Sequence, residues 1–387
     1  MKILIAPMGA MAETSGPFSR VAALTEKLLE TGHQVALCAA LDVNYHEISG
    51  VKNYDCSVPS PFGMPMAIGK RMFGLAQKLG IQQKKQVHSF EQVLFFTGAI
   101  QQKFFMKDVL AIRQAIQDFR PDVVYSEFRP AAIVAAKLEK VKIATGYSFP
   151  VQKKYASNPE YSKGIRRFIK ECQLPPIESV LDIFDWADLK VVPSSYDLEP
   201  IADDRVIFTG PFLHPSQATS RKGRNKIIAY MGSGTVSPKQ LVEELSKAFQ
   251  GTAYQVLIAT EQLQPFEENN IIVNHRFDFS KLMPEAAVYI NHGGQNSIMT
   301  GLIYGIPQII CPGTVFEREY NASSIEKIGA GKVISAKDFQ ADTLKSLLLE
   351  FQKDKSYAEK AHKAGEQLIN LGGTEKVVKE LEHLLHT

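Results

Sequence analysis

Twice along this chain, short apolar runs of strand length alternate with stretches whose apolar residues recur at helical spacing, and this alternation restricts the fold more than any other feature. In the first forty residues KILIAP is followed by Val21, Leu24, Leu28 and Leu29 at helical intervals, Gly32 falls where a helix C-cap belongs, and HQVALCAA supplies the next strand. PDVVYSE and VKIATGY flank a further helical stretch, and DLKVVPSS is a late strand. The second series runs KIIAYMGSGT, a helix near 238–250, YQVLIAT, NIIVNHRF, AAVYINHGG, a helix from about Ser297 to Tyr304, and PQIICPG. Such alternation predicts an α/β chain whose parallel, doubly wound sheets are covered on both faces.

The two series are separated by GPFLHPSQATSRKGRNK, poor in large apolar residues and rich in Pro, Gly, Ser and charge. At 387 residues the chain exceeds what one core usually organises. The predicted division is therefore 1–213, a linker at 214–225, and 226–387. The last stretch reads as two helices broken at Gly372 and Gly373, which can pack back on the first lobe.

Apolar residues make up 45% and charged residues 22%, which excludes disordered, collagenous and integral-membrane classes. No apolar run approaches membrane-helix length, and MKILIAP enters a strand without a signal-peptide layout, so the expected location is cytoplasmic. Cys38, Cys56, Cys172 and Cys311 form no CxxC pair and no HExxH spacing occurs, so reduced thiols and no metal site are expected. The net charge of +3 is uneven: residues 67–170 hold nineteen Lys or Arg against seven Asp or Glu. Either a solvated basic face or a surface for an anionic partner accounts for that excess; nucleic acid is not expected, since no binding signature for it is present.

Three glycine-rich turns follow strands: Met8 to Gly16, MGSGT at 231–235 and HGGQNS at 292–297. A strand leading through such a turn into a helix presents backbone N–H groups and the positive end of the helix dipole, which suits a phosphate. In the third turn Gly293 and Gly294 allow close approach of a ligand, His292 stands at the strand tip, and Asn296 and Ser297 are placed to cap the helix.

The segment HGGQNSIMTGLIYGIPQIICPGTVFEREYNASSIEKIGAGKVI resembles the donor-binding signature of inverting nucleotide-sugar glycosyltransferases of the GT-B fold. GPF at 210–212, MGSG opening the second lobe and the GHQV pattern near the N-terminus extend the likeness over most of the chain. It implies two Rossmann-like lobes with the active site in the cleft between them, and a donor, UDP-sugar by preference, as substrate with no further cofactor. The resemblance places His292, Gly293, Gly294, Asn296 and Ser297 at the diphosphate, Ser233 and Gly234 in the same pocket, and Arg276 and Phe277 beside the base. Glu317 and Arg318 occupy the positions of an acid and a glutamine that hold the sugar, so the acid is retained and the glutamine lost; Asn321 resumes the pattern. Thr300 replaces a glutamate that grips the ribose, and Pro17 falls where the family has its histidine base.

A substitute base must come from elsewhere, and the candidates are Glu127, after the strand PDVVYSE, and Glu13, near the missing histidine; Glu127 is preferred, with a helix-capping acid paired to Arg129 or another cation as its structural alternative. The family's N-terminal lobe shapes the acceptor pocket. Here MPMAIGKRMFGLAQKLGIQQKKQ and FEQVLFFTGAIQQKFFMKDVL combine Met, Phe and Leu with basic residues, and Lys163, Arg166, Arg167 and Lys170 follow. A hydrophobic or lipid-like acceptor, reached from an anionic membrane surface, is the expectation; core helices with solvated lysines are the alternative. Two other readings stand beside the transferase: a nucleotide-sugar-binding partner protein without catalysis, and a nucleotide-sugar epimerase of the same fold.

Overall fold

The computed structural model describes residues 1–9, 15–42, 44–61, 87–213, 223–232 and 235–386. Contacts divide these into two units, one extending to Phe212 and taking back the chain from Leu371, the other running from Leu213 to Asn370.

The first unit is built on strands β1 (Lys2–Pro7), β2 (Gln34–Leu37), β3 (Lys52–Asn53), β4 (Val123–Glu127), β5 (Lys142–Gly146), β6 (Leu189–Val192) and β7 (Val206–Phe208). They lie in the order 3-2-1-4-5-6-7, all parallel, which is a doubly wound sheet reversing direction between β1 and β4. Ile3, Leu4 and Ile5 are fully buried, as expected of a parallel strand covered on both faces. The helix Ser15–Glu30 buries Val21, Leu24 and Leu28 against one face of the sheet. Its end at Gly32 is the expected cap: φ is +81°, and the His33 N–H bonds to the Leu28 carbonyl while the Gly32 N–H bonds to that of Leu29.

The second unit carries β8 (Lys226–Tyr230), β9 (Gln255–Ala259), β10 (Phe266–Glu268), β11 (Ile271–Asn274), β12 (Ala286–Asn291), β13 (Gln308–Ile310) and β14 (Gly331–Val333) in the order 10-11-9-8-12-13-14. β10 alone among these runs antiparallel, on the edge. The reversal point lies between β8 and β12, paired with Ala229 opposite Ile290 and Tyr230 opposite Asn291. Behind them the helix Ser356–Asn370 packs backbone to backbone on the helix Gln295–Ile303: a Cβ on Gly365 would stand 2.1 Å from the Leu302 carbonyl oxygen. Only glycine permits that approach.

The two terminal helices separate. Ser356–Asn370 stays with the second unit, whereas Gly373–Leu384 belongs to the first, where Val377, Val378 and Leu381 join the core beneath Leu24 and Leu28. The strands β3, β7, β10 and β14 were not read from the sequence; each has two or three residues, too few to show a period.

Candidate functional site

The carboxyl ends of β8 and β12 are the place where the second sheet reverses, and in open α/β sheets the crevice at such a point takes the ligand. The turns MGSGT and HGGQNS leave from these two strand ends. Gly232 stands at φ +55° and Gly293 at φ +80°, backbone angles at which a side chain is strained. Ser233 and Gly234 lie outside the described residues.

His292 is 8% exposed and sits between two glycines. A Cβ on Gly294 would lie 2.7 Å from its Nε2, and one on Gly232 would lie 3.2 Å from its Cε1. Its Nδ1 is 3.4 Å from the Tyr230 carbonyl oxygen, and the two rings meet edge to face with centroids 5.5 Å apart. Burial, reinforced by the charge of Arg318, pushes the imidazole down to about 3, so His292 is neutral at neutral pH.

The turn is held by three buried amides. The Gly293 N–H donates to Asn291 Oδ1 (2.9 Å), Asn291 Nδ2 donates to Gln308 Oε1 (2.9 Å), and Gln308 Nε2 donates to the Ile298 carbonyl (3.0 Å). Asn321 Nδ2 closes the ring on the Gly293 carbonyl (2.9 Å). Asn321 thus has its amide in the support of the turn. Asn291 and Gln308 escaped the sequence reading, although an Asn and a Gln at strand positions in otherwise apolar text are the signal for such a network.

The helix Gln295–Ile303 is capped by Gly294 without a side-chain hydrogen bond, so Asn296 and Ser297 are not caps but members of its first turn. The glycine cap supplies no side-chain acceptor of its own to the first N–H groups, which an α-helix cannot satisfy internally. Ser297 is buried beside Tyr289. Thr300 donates its hydroxyl to the Asn296 carbonyl (2.7 Å). Arg276 is largely exposed and paired with Glu261 (2.8 Å), while Phe277 packs beside Ile228, Leu257 and Met283. Glu317 is exposed in the first turn of the helix Phe316–Lys327. Arg318, beside it, is half-buried; burial lowers its guanidinium from the usual range, and among the described residues it forms no ion pair or hydrogen bond. Its carbonyl oxygen would stand 2.9 Å from a Cβ on Gly293.

At the corresponding point of the first unit, between β1 and β4, the chemistry differs. Glu127 is 1% exposed and its Oε1 accepts from Arg20 Nε at 2.6 Å. Burial raises the Glu127 carboxyl, and Arg20 works against that shift. The cation paired with Glu127 is thus Arg20 and not Arg129, which is fastened to Asp108 and donates to the carbonyls of Cys38 (2.6 Å) and Pro7 (3.2 Å). Arg20 was not foreseen; it lies on the helix after β1, more than a hundred residues from its partner. Glu13 is outside the described residues, and Pro17 lies in the first turn of that helix.

Of the stretch read as an acceptor wall, 62–86 is outside the described residues, while Leu94, Phe105 and Val109 are core residues. Phe95 stacks on Tyr161 with centroids 4.4 Å apart. On the helix Lys163–Glu171, Lys163, Arg167 and Lys170 are exposed, whereas Arg166 donates to the carbonyls of Pro159 and Glu178. No helix among the described residues is long and apolar enough to cross a membrane.

Residues 259–384 match the family described as Erythromycin biosynthesis protein CIII-like, C-terminal domain. The chain is 30% identical over 228 residues to the uncharacterized UDP-glucosyltransferase YojK of Bacillus subtilis, covering 53% of this chain and 54% of that one. It is 25% identical over 309 residues to the NDP-glycosyltransferase YjiC of Bacillus licheniformis, covering 72% and 76%. The match thus spans about half the length of the first relative and three quarters of the second. The calicheamicin glycosyltransferase CalG4 superposes with a TM-score of 0.76 at 16% identity, over 100% of this chain and 98% of that one. The two doubly wound units and these likenesses give the chain the two-lobed GT-B fold, with a sequence similar to those of nucleotide-sugar glycosyltransferases.

Proposed function

We propose that the protein transfers a sugar from a nucleoside diphosphate, UDP by preference, to an acceptor hydroxyl, with inversion at the anomeric carbon and without a metal ion. One observation carries this reading. At the reversal point of the second sheet a neutral histidine, two positive-φ glycines and a glycine-capped helix start converge beside a guanidinium that has no partner among the described residues.

Such a place takes an anion. The helix start offers N–H groups and the positive dipole end to one phosphate. Arg318 supplies the charge that a divalent cation would otherwise bring, and each hydrogen bond to a charged oxygen contributes roughly 1.5–3 kcal/mol. With Nδ1–H turned to the Tyr230 carbonyl, Nε2 of His292 meets the phosphate, whose charge draws a proton to the ring. As the bond between the anomeric carbon and the β-phosphate oxygen breaks, its electron pair passes to that oxygen and Arg318 stabilises the leaving diphosphate. Glu317 is assigned to the sugar hydroxyls, and Glu127 or Glu13 to the acceptor proton.

The acceptor is proposed to be hydrophobic or lipid-like, a reading supported by the apolar and basic text of the first unit and by the exposed Lys163, Arg167 and Lys170. The test incubates the full chain with a panel of nucleotide sugars, phenolic and lipid acceptors, and excess chelator. The expected result is nucleoside diphosphate release that needs an acceptor and survives chelation. No release with any donor, together with no donor binding in calorimetry, overturns it.

One observation favours a second reading. Pro17 stands at the family's base position and Glu127 is tied to Arg20, as in a protein that holds a nucleotide sugar without turning it over. Tight donor binding with no transfer, unchanged by Glu13→Gln, would select that reading.

A further inference from the structure

Cys38 and Cys56 are brought together in the first unit, on the carboxyl side of β2 and β3, with their sulfurs 3.1 Å apart. Both backbones are tied into the sheet: the Cys38 N–H bonds to the Ile5 carbonyl (2.8 Å), the Cys56 N–H bonds to that of Ala39 (3.3 Å), and Ala40 bridges Cys56 in parallel register. The sulfurs are therefore held about an ångström beyond the ~2.05 Å of a covalent S–S bond.

The two thiols are unequal. Cys38 is fully buried and Cys56 half-buried. The Cys38 S–H facing Cys56, with the Arg129 guanidinium behind it, lowers the Cys56 thiol to about 7, against the opposing effects of burial and of Asp108. Cys38 is raised well above its usual range, first by Cys56 and then by burial, with Arg129 opposing. The remaining cysteines lack such help: burial raises Cys172, and it pushes Cys311 up to about 12. A reachable thiolate backed by a buried thiol is the arrangement of a nucleophilic and a resolving cysteine.

We propose that Cys38 and Cys56 form a dithiol site that reacts with low-molecular-weight disulfides and closes to an intramolecular disulfide. The Cys56 thiolate attacks one sulfur of the small disulfide, forming a mixed disulfide and expelling one thiolate. Cys38 then attacks the Cys56 sulfur, and its proton leaves with the second small thiol. Two protein sulfurs are oxidised by two electrons, and one small disulfide is reduced to two thiols. The closed bond would span residues 38–56, a stretch that includes Ala40 and Asp42, whose side chains border Gly9 in the first glycine-rich turn. Oxidation would thus stiffen one wall of that turn. The inference is independent of the transfer reaction.

The experiment treats the full chain with oxidised glutathione, alkylates residual thiols, and maps peptides by mass spectrometry. The expected outcome is loss of two hydrogens from the chain, a Cys38–Cys56 linked peptide, alkylation retained at Cys172 and Cys311, and full recovery with dithiothreitol. Cys38→Ser should trap the glutathione adduct on Cys56, and Cys56→Ser should form neither adduct nor disulfide. In the reduced protein a limiting alkylating agent should modify Cys56 at least about tenfold faster than Cys172. Cys38 and Cys56 still fully alkylated after treatment, or linked only between chains, would overturn the proposal. The wild-type peptide map distinguishes these outcomes even where a variant fails to fold.

Discussion

The two units share a sheet plan and treat its reversal point in opposite ways. Between β1 and β4 the charges are buried and matched, with Glu127 on Arg20 and Asp108 on Arg129. Between β8 and β12 the buried groups are neutral amides and a neutral imidazole, and the one guanidinium beside them pairs with nothing among the described residues. A matched pair is complete without a ligand, since either charge alone in a dry interior would be costly. A cation beside a helix start is completed by an anion. On the proposed function, the same topology closes its charges on each other in one unit and receives a diphosphate in the other.

The largest effect should come from breaking the matched side. Glu127→Gln removes the buried carboxylate that accepts from Arg20, with an expected loss of about 3–5 kcal/mol in denaturant unfolding. If Glu127 also takes the acceptor proton, turnover should fall roughly a hundred- to ten-thousand-fold. Adding Arg20→Met separates the two roles: stability should recover while turnover does not. Recovery of both would make Glu127 a structural residue.

On the receptor side, His292→Ala should weaken nucleoside diphosphate binding by about 10- to 150-fold in calorimetry, the worth of one charge-assisted hydrogen bond. Unchanged affinity would remove His292 from the donor site. The same variant has a signature in the absence of ligand. The folded imidazole is depressed from 6.5 to about 3, so below pH 6.5 the unfolded chain binds a proton that the folded one refuses. Stability from this group is complete above pH 6.5 and is lost as pH falls towards 3, at about 1.4 kcal/mol per pH unit. Between pH 6 and 4 the wild type should thus lose stability faster than His292→Ala; parallel curves would contradict a buried neutral ring.

The smallest effect sharpens the contrast in charge. Arg318→Gln should weaken diphosphate binding by about tenfold and flatten its dependence on salt. Arg318→Lys should keep the salt dependence while losing part of the affinity, because a point charge replaces a fork. Equal salt slopes in all three proteins would place the guanidinium elsewhere than beside the anion.

Much of the plan was legible from local text. Gly32 ends its helix with the expected hydrogen bonds, and HGGQNS lies at the tip of the strand read from AAVYIN. Other features were not, because their partners are far apart in the chain. Nothing near Glu127 announces Arg20, and nothing near Gly232 announces that its missing side chain makes room for His292. The capping role expected of Asn296 and Ser297 failed by two and three residues, since the chain turned into the helix at Gly294.

What the amino-acid text determined alone was the alternation of periods, the break between two series, and the glycine turns at strand ends, all of which arise from interactions within a few residues. What only the tertiary structure decided was pairing: which cation meets Glu127, which amides support Gly293, and which thiols face each other. Those choices depend on which strand ends the sheet order sets side by side, and desolvation then fixes the charge state of whatever meets there.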